Sequence, residues 1–162
     1  MAISYHVNGT ASLQVSNTVQ GTTFSNLGLS SSEGVKINIT EYFNEIYSDE
    51  RGPSIPSEVL RNGADATIEV ELWKYDGTVL NNLMALREGG VQGYMGTIGQ
   101  MMFNAGLTRR LRVLSPIDGQ NWQFNRVWIL DEQSVQLSTQ LKIWTVTFKA
   151  VPDENGILYT FV

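Results

Sequence analysis

Residues 51–86 read RGPSIPSEVLRNGADATIEVELWKYDGTVLNNLMAL. The stretch passes from a Pro/Gly/Ser segment, through a few residues that suit a short helical turn, into a strictly alternating strand. Ala66, Ile68, Val70 and Leu72 fall on one side of that strand, and Asp65, Thr67, Glu69, Glu71 and Trp73 on the other, so one face is made for burial and the other for water. Past Tyr75 the period changes from two to 3.6. Asp76 suits an N-cap, Val79, Leu80, Leu83 and Met84 form an apolar stripe, and Gly89 suits a C-terminal stop, which together predict an amphipathic helix. One half-buried strand followed by one packed helix is an architectural unit, and nothing in it prepares chemistry.

Working outward, the segment before it alternates as well. Val35, Ile37 and Ile39 oppose Lys36, Asn38 and Thr40, and the alternation continues through Phe43, Glu45 and Tyr47. Unbroken over 35–47, such a strand spans about 40 Å at roughly 3.3 Å per residue, far beyond the usual five or six residues. It either overhangs the domain as a hairpin arm paired with the 64–73 strand across a 48–63 connection, or bends round a barrel at a bulge near Glu41. The first thirty-odd residues are polar. They predict a short strand near 11–16 and then a loop through Gly21, Gly28 and Ser30 to Ser32, with 1–33 as a flexible or partner-ordered N-terminal segment.

After the predicted helix, Gly93, Gly96 and Gly99 interrupt the chain at a spacing that matches neither the dinucleotide fingerprint nor a phosphate loop. Residues 107–114 and 121–130 flank a turn whose Asp118-Gly119 signals a hairpin. On its second arm Trp122, Phe124, Arg126 and Trp128 are expected to share a face. A strand over 135–150 follows, with Trp144, Val146, Phe148 and Ala150 on one side, and a last short strand runs over 157–161. The expected fold is mainly β: a sandwich or barrel of about seven strands, one flanking α-helix and a long hairpin arm, in a single domain over 1–162.

The residue inventory narrows the chemistry. The 162 residues include no Cys and one His, His6. Disulfides, thiol catalysis and zinc ribbons need cysteines, and a well-placed imidazole triad or multi-histidine metal site needs more than this chain holds. The acidic pairs Asp49-Glu50, Asp131-Glu132 and Asp153-Glu154 stand beside turns and make no glycosidase cleft. We therefore expect no enzyme, cofactor or metal. Net charge is −5 with a pI near 4.8, against a protein that grips nucleic acid through its phosphates. Arg109, Arg110, Arg112 and Arg126 against Asp118 make residues 107–130 locally +3, leaving −8 elsewhere. A basic edge meeting an acidic edge of a second copy fits this asymmetry, and so does an ordinary solvated strand face. No segment has the roughly 20 apolar residues of a membrane span or the pattern of a signal peptide.

Several of these residues carry a resemblance. Pro56, Glu58, Val59, Leu60, Arg61 and Gly63, then the strand from Ala66 to Leu72, Tyr75-Asp76, and Val79, Leu80 and Leu83 resemble the middle of bacteriophage tail tube proteins. The order of elements after them, down to Gly156-Ile157-Leu158-Tyr159, fits the same pattern. The resemblance covers most of the chain from Val35 onward and rests on element types and spacings. It implies a virion protein of the tail, made in a host cytoplasm, assembling with itself into stacked hexameric rings through which DNA passes without specific binding. Sheath, baseplate or neck proteins are the further partners it implies. By this likeness residues 35–47 and 64–73 line or border the lumen, with Glu69 and Glu71 as candidates for its wall and Lys36 and Lys74 close by, and the N-terminal and 48–63 segments reach neighbouring subunits or rings. The alternation makes Val35, Ile37, Ile39, Phe43 and Tyr47 candidates for subunit contacts, and the charge asymmetry adds Arg110 and Arg112. A neck, collar or terminator protein, a capsid decoration protein and a type VI secretion tube protein share the same features.

Overall fold

The computed structural model describes residues 2–7, 9–18, 21–48, 56–76, 103, 108–116, 119–130, 134–137 and 142–162. Nine strands run through them: β1 (Ala2–Val7), β2 (Ser12–Ser16), β3 (Phe24–Ile46), β4 (Glu58–Tyr75), β5 (Arg109–Leu114), β6 (Trp122–Ile129), β7 (Ser134–Leu137), β8 (Lys142–Val151) and β9 (Tyr159–Phe161). All pairings are antiparallel. Six strands close on themselves in the order β2, β3, β4, β8, β6, β5, the last contact joining β6 to β8 through Val127 opposite Ala150 and Ile129 opposite Phe148. β1 lies outside this ring against β3, β7 continues beside β8, and β9 beside β6.

The alternation seen in the sequence builds the core. Leu13, Val35, Ile37, Ala66, Ile68, Leu72, Leu111, Val113, Phe124, Phe148 and Ala150 point inward from six strands and are fully buried, because closing a small barrel leaves an interior just wide enough for side chains. Trp122 caps this core beside Tyr159 and Phe161, its ring 4.8 and 4.7 Å from theirs.

Several expectations change. There are nine strands among the described residues instead of seven. The loop expected through Gly28 and Ser30 to Ser32 is strand. Gly28 sits where β3 presses on β4, so closely that a Cβ there would stand 2.1 Å from the Lys74 carbonyl oxygen. The serine cluster instead makes a wide bulge inside β3, since Ser30 lies opposite Leu72 and Val35 opposite Val70. Gly34 takes φ 84° there, and the Ser30 hydroxyl accepts from Ala11 N at 2.8 Å. That bulge lets one edge of β3 serve β2 before it and β1 after it.

The helical turn expected before Gly63 is the start of β4. The 135–150 strand is two, β7 and β8, folded against each other with Val135 opposite Trp144. On β6 an extra residue enters the ladder, because Leu111 pairs with Phe124 but Arg109 with Val127. It flips the pleat, so Trp122, Phe124, Val127 and Ile129 face inward while Arg126 and Trp128 turn outward. The helix expected after Asp76, with Val79, Leu80, Leu83 and Met84, and the glycines at 89–99 lie outside the described residues.

Candidate assembly surface

β3 and β4 are far longer than the barrel requires. β1 accompanies β3 only as far as Thr40, and β8 accompanies β4 only from Ala66. Beyond those points residues 41–46 and 58–65 form a two-stranded ribbon whose outer edges meet no other strand among the described residues. It is closed at its tip where Ser57 N and Oγ both donate to the Ile46 carbonyl, at 2.8 and 2.9 Å. Six residues of extended chain carry it about 20 Å from the barrel. The overhanging hairpin is thus the form the 35–47 strand takes; the register break at its root, where Tyr42 pairs with Gly63 and Phe43 with Arg61, places the extra residue on β4, and β3 runs on past Glu41 without bending round the barrel.

The ribbon carries exposed apolar side chains on both faces. Phe43 and Val59 project on the face continuous with the core, and Tyr42, Ile46 and Leu60 on the face continuous with the barrel exterior. These five and Tyr47 are all between 42 and 53% exposed. A monomer normally blunts such a feature, because free strand edges beside uncovered apolar side chains invite pairing with another chain. Among the described residues Glu41, Glu45 and Arg61 supply the charges beside Phe43 on its face, with the Tyr47 hydroxyl donating to Glu45 and Arg61 Nη2 lying 2.6 Å from Glu41 Oε1.

The candidate contact residues separate into three groups. Val35, Ile37 and Ile39 are at most 5% exposed and belong to this barrel's own core, which corrects their reading as a contact surface. Phe43 and Tyr47 stand on the ribbon. Arg110 and Arg112 are half-buried on the outer face of β5, where Arg112 Nε donates to Gln123 Oε1 at 2.8 Å and its guanidinium lies 3.8 Å from the Phe24 ring centre. Arg126 pairs with Glu154 at 2.8 Å. Much of the basic 107–130 stretch is therefore answered within the chain. Glu69 and Glu71 do point away from the core. Glu69 accepts from Lys36 at 3.4 Å and Asn38 at 3.0 Å, and Glu71 from the Trp73 indole. With Thr67, Thr147 and Lys149 they make a polar wall over β3, β4 and β8.

Sequence reading passed over Tyr42, Ile46, Val59 and Leu60. Tyr42 and Ile46 were visible as the second face of the 35–47 alternation, which is apolar only past Thr40. Val59-Leu60 offers no alternation to read and became legible as strand only through its partner. Among the described residues no group of three His, Cys, Asp or Glu is placed to hold a metal ion, and no helix is long and apolar enough to cross a membrane.

No family model matches this sequence, and no curated protein matches it. Among solved structures the chain is similar to one in the virion of a native gene transfer agent particle, at 12% identity and a TM-score of 0.49, over 93% of this chain and 95% of that one.

Proposed function

We propose that this protein is a structural virion component, the tail tube subunit of a long-tailed phage, which assembles with itself into stacked rings and so forms a conduit for DNA. The observation that carries the reading is the 41–46/58–65 ribbon: a closed barrel has no need of it, and its outer edges, unpaired among the described residues, and its exposed apolar side chains suit contact with another chain. A homo-oligomer is the economical source of that chain, because a ring made by head-to-tail contacts leaves no edge unpaired. The tail-tube resemblance of residues 56–83 supports the same assignment. So does the acidic balance of the chain, since a conduit must not hold the phosphates that pass through it. Glu69 and Glu71, with the polar wall around them, are the proposed lumen surface, and the protein's role is structural, with no catalysis.

Negative-stain electron microscopy of the purified protein tests this. Tubes built of stacked rings are expected. Single rings that never stack would favour a neck, collar or terminator role, and a monomer that stays monodisperse at high concentration would overturn the proposal.

A further inference from the structure

At its root the ribbon leaves the barrel through a break in register that makes Asn62 an extra residue on β4. Gly63 takes φ 149° there, and a Cβ at that position would touch nothing within 4 Å, so the glycine serves the bend of the backbone and not a close contact. Two strands joined to a barrel through such a bulge, without lateral neighbours among the described residues, have a natural hinge.

Polar side chains bridge that hinge on both faces. On the face continuous with the barrel exterior, the Tyr42 hydroxyl donates to Asp65 Oδ2 at 2.8 Å, and Lys149 Nζ lies 2.5 Å from the same oxygen. Tyr42 belongs to the arm, Asp65 to the root and Lys149 to β8 in the barrel wall, so one carboxylate ties all three. On the other face the Glu41–Arg61 pair spans the bulge at 2.6 Å. The Asp65 and Lys149 side chains are only 15 and 23% exposed, whereas those of Lys36 and Glu69 are 48 and 45% exposed. Solvent screens the root bridge less than an ordinary surface pair. The Tyr42 phenol is correspondingly harder to ionise than a free tyrosine, through its hydrogen bond to Asp65 and then that residue's charge.

We propose that these two bridges lock the arm at one angle to the barrel, so that its apolar tip is presented already aimed at a second copy of the chain. The lock stands on the geometry alone, while its use in assembly rests on the tube reading. A loose ribbon would have to be ordered at the moment of contact, and that cost would be subtracted from the association free energy.

Amide hydrogen exchange of the full chain, measured below its assembly concentration, tests the lock in Tyr42→Phe, Glu41→Gln and the double variant. Tyr42→Phe removes one oxygen and no charge, which keeps the fold intact. Protection at residues 43–46 and 58–62 should fall by roughly five- to tenfold in each single variant and further in the double, while residues 35–39 and 66–72 keep theirs. Arm protection that does not change overturns the lock. Loss spread evenly over the barrel also overturns it, because the bridges would then hold the barrel and not the arm. The concentration at which Tyr42→Phe assembles should rise by a similar factor, and an unmoved threshold removes the assembly role. A wild-type chain that never assembles refutes the tube reading and leaves the exchange result to decide the lock.

Discussion

Replacing Ile46 and Leu60 together by alanine separates assembly from folding, because the two side chains neighbour each other on one face of the arm and are 47 and 53% exposed. Burying a whole Leu or Ile side chain contributes about 1.5–3 kcal/mol, so covering the exposed half of each against a neighbouring chain contributes about 1 kcal/mol or somewhat more. Allowing for what alanine retains, the pair should account for about 1.5–2.5 kcal/mol of association. That is about 10- to 70-fold in the concentration at which polymer first appears. Because these two side chains are half exposed and their stretch of the arm has no lateral strand among the described residues, the fold should lose no more than about 0.5 kcal/mol, or one or two degrees in melting temperature. Light scattering against protein concentration, with thermal unfolding followed by circular dichroism on the same samples, reads both quantities. A threshold that moves less than about threefold, with melting unchanged, would refute the argument that the arm is the contact surface. A large fall in melting temperature would refute the claim that these side chains are unused within the monomer. Ile37→Asp serves as the contrast: this fully buried position should unfold the chain instead of selectively blocking assembly.

Gly28→Ala should prevent stable folding, since its Cβ would overlap the Lys74 carbonyl at 2.1 Å, whereas Gly119→Ala, at φ 65° with open space around it, should cost only about 1–2 kcal/mol in a denaturant titration. Phe148→Ala empties a fully buried site beside Ile68 and Ile129 and should cost about 3–5 kcal/mol, visible as a lower melting temperature and a greater susceptibility to protease. Burial pushes the Asp153 carboxyl up, but hydrogen bonds from Ile157 N, Asn125 and Asn155 N, with the Arg126 charge, outweigh it and hold the group below its ordinary value of 3.8. A depressed carboxylate stabilises the fold above its unfolded value and loses that contribution as pH falls through the folded one. Wild type should therefore exceed Asp153→Asn in thermal stability near neutral pH, and the charge-dependent part of that advantage should vanish on acidification below 3.8; an equal difference at every pH would refute the linkage.

The β character was legible because a period of two needs no knowledge of partners: Ala66, Ile68, Val70 and Leu72 had to share a face wherever the strand lay. The excess length of the 35–47 strand was legible too, because 13 alternating residues exceed what a small domain can flank, while the choice between an overhanging arm and a bend round the barrel was not. Strand number was harder to read, since no Gly or Pro interrupts residues 134–151 and the shift of the apolar positions from Val135 and Leu137 to Trp144, Val146 and Phe148 does not by itself locate the reversal that the pairing of β7 with β8 reveals. Val35, Ile37 and Ile39 show the same limit at the site. Their spacing states that they lie together and is silent on whether this barrel or a neighbouring copy covers them.

By itself, then, the sequence determined the mainly β class of fold, the inward set of each regular strand, the lack of cysteine in these 162 residues and a strand over 35–47 longer than a small domain flanks. Tertiary structure alone decided the closure of β6 on β8, the reversal that turns Arg126 and Trp128 outward, and the Tyr42–Asp65–Lys149 bridge at the arm's root. The reason is physical. Side-chain alternation is a local property of extended backbone, whereas closure, register breaks and cross-strand bridges depend on which distant segment supplies the hydrogen-bonding edge, and one extra residue in a ladder reverses every face beyond it.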